Sequence, residues 1–110
     1  MSTVLAAGGP LPDCVFAVTD VMAMGALARL RAGGLQVPAD IALAGFDDIG
    51  TLRDVYPPLT TVRLPLTRMG EMAAELVLSE ANGTPGGPRV IPVPGEVILR
   101  ESTLPHPPTR

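Results

Sequence analysis

Three carboxylates and a hydroxyl stand at the ends of two short apolar runs, and their shared chemistry is that of gripping a polar ligand. Thr19 and Asp20 follow Val15-Phe16-Ala17-Val18, and Asp47 and Asp48 follow Ile41-Ala42-Leu43-Ala44-Gly45-Phe46. A carboxylate in such a place can accept hydrogen bonds from a polyol, hold a hard cation, or cap the helix that comes next. Ligands of open α/β sheets gather at the carboxyl ends of strands, so Asp47 is assigned to binding, while Asp48 is assigned to capping the stretch after it. Thr19 and Asp20 face the same choice between cap and ligand. Three neighbouring carboxylates also fit Mg²⁺-dependent phosphoryl transfer, but such sites offset the phosphoryl charge with a lysine and this chain has none. There is no glycine-rich phosphate loop, nucleophile elbow, histidine pair or cysteine cluster, and no enzymatic function or cofactor is assigned.

For those residues to meet, the two apolar runs must be neighbouring parallel strands, about 4.8 Å apart, opening on one crevice. The intervening chain has the length and pattern of a crossover helix. Thr19 or Asp20 can cap it, Ala23, Ala26, Leu27 and Leu30 form its apolar stripe, and Gly33-Gly34 supplies a left-handed stop. Ile49 to Val55 is expected to form a short helix capped by Asp48 and ending before Tyr56-Pro57-Pro58. Thr60 to Leu64 alternates as a third strand. The cleanest amphipathic helix runs from Thr67 to Asn82, with Met69, Met72, Ala73, Leu76 and Val77 on a stripe expected to face the core. Val90 to Val93 is extended but broken by Pro92 and Pro94, as at a sheet edge, and Glu96 to Glu101 reads as a last strand. The fold class is therefore α/β, a partial lobe with a parallel βαβ core, a further amphipathic helix and C-terminal strands.

Size and charge narrow the functions. The chain has 110 residues, 46% hydrophobic and 17% charged, which suits one domain, and its 13 prolines and 12 glycines imply a much-punctuated path. Residues 1–12 read as an N-terminal extension, 13–104 as the folded portion, and 105–110 as a mobile tail. Eight arginines against eleven carboxylates leave a net charge of −3, a poor surface for nucleic acid. Cys14 stands alone, which excludes an internal disulfide, and its place in an apolar run reads as a buried core thiol without chemistry. No stretch is long and apolar enough for a membrane span, and no secretory signal precedes the folded part, so a cytoplasmic location is expected.

The ordered set Pro12-Asp13-Cys14-Val15-Phe16-Ala17, Asp20, Met22-Ala23-Met24-Gly25-Ala26-Leu27, Gly34-Leu35, Val37-Pro38, Asp40-Ile41 and Gly45-Phe46-Asp47-Asp48 resembles the effector-binding region of the lactose/galactose repressor family. Pro57-Pro58-Leu59-Thr60-Thr61-Val62, Met69-Gly70, Ala73-Ala74-Glu75-Leu76 and Arg100-Glu101-Ser102-Thr103 continue it in order and spacing. The resemblance implies a periplasmic-binding-protein-like fold, like the last third of a repressor, with a small effector, a sugar or nucleoside, held between two lobes. It places Asp47 on effector hydroxyls and Thr19 where the family often has an asparagine that reaches the ligand, with Asp20 beside it. It implies a crossover between lobes at Leu59, Thr60, Thr61 and Val62, and places the helix from Thr67 to Asn82 over the sheet of the other lobe. Without that sheet the stripe is expected to fold back on the remaining sheet or to be exchanged with a second copy. Homodimerisation, with help from Met24 or Tyr56, is implied, and DNA would be met only through a helix-turn-helix reader that has no counterpart in these residues. A transport-type sugar-binding protein and a dimerisation module without a ligand are the alternatives.

Overall fold

The computed structural model describes residues 5–83 and 86–104. The expected tail at 105–110, the first four residues of the expected extension, and Thr84 and Pro85 lie outside the described residues. Two compact units are present, one comprising the chain up to Arg63 together with the chain from Val97, the other Leu64–Glu96.

The first unit carries the expected crossover. Strand β1 (Cys14–Phe16) leads to helix α1 (Asp20–Ala32) and back to β2 (Ala42–Ala44). β1 and β2 are parallel, with Cys14 opposite Ala42 and Phe16 opposite Ala44. The pairing runs past both strand ends, since the Ala17 N–H donates to Ala44 O and the Asp20 N–H to Phe46 O, each at 2.8 Å. Beyond β2 the chain bridges in parallel to strand β3 (Thr61–Arg63), at Ala44 with Thr60 and at Asp47 with Arg63. Strand β4 (Glu96–Ile98) pairs with β3.

Helix α1 forms where its signals put it. Thr19 is the cap, its Oγ1 accepting from the Met22 N–H at 3.3 Å, and Gly34 takes the positive φ of 79° that ends the helix without a Cβ penalty. Ala23, Leu27 and Leu30 are buried, and Ala23 and Leu27 pack with Leu43 of β2, Leu52 and Leu59 to make the core. Each buried leucine contributes about 1.5–3 kcal/mol on leaving water. Leu52 sits in a short 3-10 turn, Gly50–Asp54, which replaces the expected helix after Asp48. Met24, expected at a dimer surface, is half-buried and packs against this core.

Other expectations are corrected. β1 is covered on one face only: Cys14 is exposed, and Phe16 and Val18 are 60% and 69% exposed, because α1 lies on the Val15 and Ala17 side and nothing described covers the other. In the second unit, helix α2 (Leu66–Ala81) has no buried residue, so its stripe is not a core face. Met69, Met72 and Leu76 are half-covered, while Ala73 and Val77 are exposed. Within this unit Met69, Met72, Ala73 and Leu76 of the stripe, together with Arg89, Ile91 and Val93, line a depression of about 210 Å³. Arg89, Ile91 and Val93 belong to a segment with Pro92 and Pro94 that carries no strand, too narrow to bury a sixteen-residue helix.

Candidate functional site

The turn after β2 is where the sheet's chemistry converges. Asp47 and Asp48 both have positive φ, 110° and 54°. A residue with a Cβ avoids this region, and each such residue costs on the order of 1–3 kcal/mol unless its surroundings over-determine it. Here they do. The Asp47 N–H donates to Val62 O at 3.0 Å, and the Asp48 N–H to Thr61 Oγ1 at 3.2 Å.

The four residues singled out by sequence have four different fates. Asp20 is fully buried. Its Oδ1 accepts from the Thr61 hydroxyl at 2.7 Å and its Oδ2 from the Ile49 N–H at 2.9 Å, so it fastens the turn from beneath rather than meeting a ligand. The expectation of an effector contact from Asp20 is corrected on that ground. Gly45 makes room for it: a Cβ there would run into Asp20 Oδ1 and stand 3.2 Å from the Ala23 Cβ.

Asp48 does not cap. The 3-10 turn has Ile49 at its N-cap position and receives no side-chain hydrogen bond. Asp48 Oδ2 instead accepts from Arg63 Nε and Oδ1 from Arg100 Nη2, each at 2.7 Å, with the carboxylate 10% exposed. Burial raises its pKa, but the hydrogen bonds and positive charges of Arg100 and Arg63 outweigh that and hold it below the usual carboxylate value. Thr19, half-buried, spends one lone pair on the α1 cap and retains a hydroxyl proton that can be donated to another acceptor.

Asp47 differs from the other two. It is half-buried at the carboxyl end of β2, and among the described residues its carboxylate has no hydrogen bond or ion pair. An uncommitted carboxylate at a strand end is able to accept hydrogen bonds from a hydroxyl-bearing ligand. The three carboxylates do not converge on a metal, since among the described residues no group of three acidic, histidine or cysteine side chains does so. Volume alone would point elsewhere, to a depression of about 460 Å³ lined by Leu5, Leu11, Arg29 and Leu35. That depression opens at the far end of α1 and contains no carboxylate.

Leu59 to Val62, the segment expected to cross between lobes, is held firmly within the first unit. Leu59, Thr60 and Thr61 are buried. Thr60 is bound on both sides: its N–H donates to Ser102 Oγ at 2.8 Å and its Oγ1 donates to Arg100 O at 3.0 Å. Ser102 Oγ in turn donates to Leu43 O at 2.6 Å. The division between the two units falls directly after this segment, at Arg63. Arg63 and Arg100, which both pair with Asp48, are the members that sequence reasoning missed.

A family profile described as Periplasmic binding protein-like domain matches residues 2–103. The chain is 40% identical over 97 residues to the HTH-type transcriptional regulator MalR of Streptomyces coelicolor, covering 86% of this chain and 28% of that protein. It is 37% identical over 91 residues to a lactose operon repressor of Rhizobium radiobacter, covering 83% of this chain and 80% of that one. The solved complex of the transcriptional regulator CelR with cellobiose superposes with a TM-score of 0.75 at 37% identity, over 82% of this chain and 28% of that one. The chain thus spans less than a third of the length of MalR and of CelR.

Proposed function

The chain belongs to the periplasmic binding protein-like domain family, among the LacI-type regulators, and from that premise we propose that it supplies the effector-sensing wall of such a regulator. The effector is a small polyhydroxylated molecule, a sugar or nucleoside, and Asp47 accepts hydrogen bonds from its hydroxyls while the Thr19 hydroxyl donates to a ligand oxygen. The uncommitted Asp47 carboxylate carries this reading. A lactose operon repressor and a cellobiose complex among the relatives support the sugar side of it. Asp20 works indirectly, by holding the turn on which Asp47 stands.

In the complete regulator, binding would favour one relative arrangement of two lobes and so change the spacing of paired DNA readers, a coupling of two sites through a two-state element. The regulator works as a homodimer in the bacterial cytoplasm. Exposed Phe16, Val18 and Tyr56 supply apolar surface for self-association, either directly or by exchange of α2. No helix among the described residues is long and apolar enough to cross a membrane.

With one wall of the cleft the chain binds weakly, with a Kd of about a millimolar or more, because half the polar partners are absent. Calorimetry with a panel of sugars and nucleosides tests this. At least one compound is expected to give heat with the parent chain and none with Asp47→Ala; equal heats from both proteins would overturn the assignment.

A further inference from the structure

Two consecutive aspartates at positive φ need an anchor outside the turn. The hydrogen bonds from the Asp47 N–H to Val62 O and from the Asp48 N–H to the Thr61 hydroxyl oxygen tether the chain, but both run to β3. Asp20 of α1 fastens the turn from beneath through the Ile49 N–H, and a further anchor, ionic, comes from another part of the chain, fifty-two residues on. Arg100 Nη2 holds Asp48 Oδ1 at 2.7 Å while Nη1 donates to Leu59 O at 3.0 Å. Its backbone is locked as well, the N–H donating to Thr60 Oγ1 at 2.9 Å and the carbonyl accepting from the same hydroxyl. The guanidinium is therefore a fixed fork, and a lysine, with one nitrogen on a flexible stem, could not span both acceptors in that way. Arg63 holds the other oxygen of Asp48, but its side chain is 54% exposed against 23% for Arg100, so Arg100 is the firmer of the two. Because Asp48 is fully occupied by these cations, Asp47 is the carboxylate left over.

We propose that Arg100, acting through Asp48, is a positioning residue that fixes the turn presenting Asp47 to the effector. This rests on the reading of Asp47 as the effector contact. The fork selects which carboxylate is committed to the protein and which is left to the ligand, so the site's geometry depends on a residue that touches no ligand.

Amide hydrogen exchange without ligand, together with titration of cellobiose, tests it on the parent chain, Asp48→Asn and Arg100→Lys. Asparagine accepts the left-handed conformation as readily as aspartate, so Asp48→Asn removes the ionic anchor and leaves the backbone preference. Exchange at the Asp47 and Asp48 amides should accelerate about tenfold or more relative to the Leu27 and Leu43 amides, with about a fivefold or larger loss of cellobiose affinity. The double variant should be little worse than either single one, as for groups acting as a unit. Unchanged exchange, exchange rising only in step with Leu27 and Leu43, or local acceleration with affinity intact would each overturn the proposal. Should the parent chain give no heat with cellobiose or any sugar or nucleoside, the Asp47 reading fails, whereas the exchange data still decide whether the anchor exists.

Discussion

A carboxylate in this chain is assigned its work by the donors that reach it. Asp20 receives two neutral donors in a dry interior, Asp48 receives two guanidinium groups, and Asp47 receives none among the described residues. Sequence could place all three at strand ends but could not sort them, because the partners lie elsewhere along the chain: Ile49 and Thr61, twenty-nine and forty-one residues on, for Asp20, and Arg63 and Arg100, fifteen and fifty-two residues on, for Asp48. The assignment of Asp48 has a consequence in acid. Its folded pKa lies below the ordinary 3.8, so the folded state binds this proton less readily than the unfolded chain does. The pairing with Arg63 and Arg100 therefore stabilises the fold in full above about pH 5 and is lost as pH falls through the lowered value. Urea melts at a series of pH values should show Asp48→Asn less stable than the parent near neutrality, with the gap closing below pH 3.8. A gap independent of pH would contradict the ionic account.

Among the elements, those defined by local signals were legible. Thr19 as cap, the Ala23, Leu27 and Leu30 stripe, and Gly34 as stop are all found in α1 as the pattern required. The parallel crossover and β3 follow from apolar and β-branched runs of strand length. Covering was not legible, since whether β1 or α2 is buried depends on what packs against it, and periodicity is silent on that. Met69 and Leu76 have core spacing yet lie on a half-covered face. The tie between elements at Asp20 was also hidden, because a buried carboxylate and a ligand carboxylate share the same sequence position. Its removal should be severe. Asp20→Ala deprives the Thr61 hydroxyl and the Ile49 N–H of their acceptor, and chemical denaturation should register a loss of about 2–4 kcal/mol. A loss within about 0.5 kcal/mol, as for a surface site, would refute the fastening role.

At the level of the whole molecule the chain keeps apolar surface that a free monomer seldom leaves bare. Phe16, Val18, Tyr56 and Leu99 are each more than half exposed. Sedimentation at rising concentration should therefore show reversible association, weakened by Phe16→Glu; a monomer unchanged over about a hundredfold in concentration would remove self-association from the account. Under the proposed reading, the effector would be selected by groups on an opposing wall as well as by Asp47 and Thr19. The account turns on one carboxylate left for a ligand. Titrating cellobiose and a nucleoside panel into the parent chain and into Asp47→Asn, a substitution of nearly equal size, examines that directly. Replacing the charged acceptor should weaken the binding compound about tenfold or more while the melting temperature stays put. Equal affinity in the two proteins would contradict it.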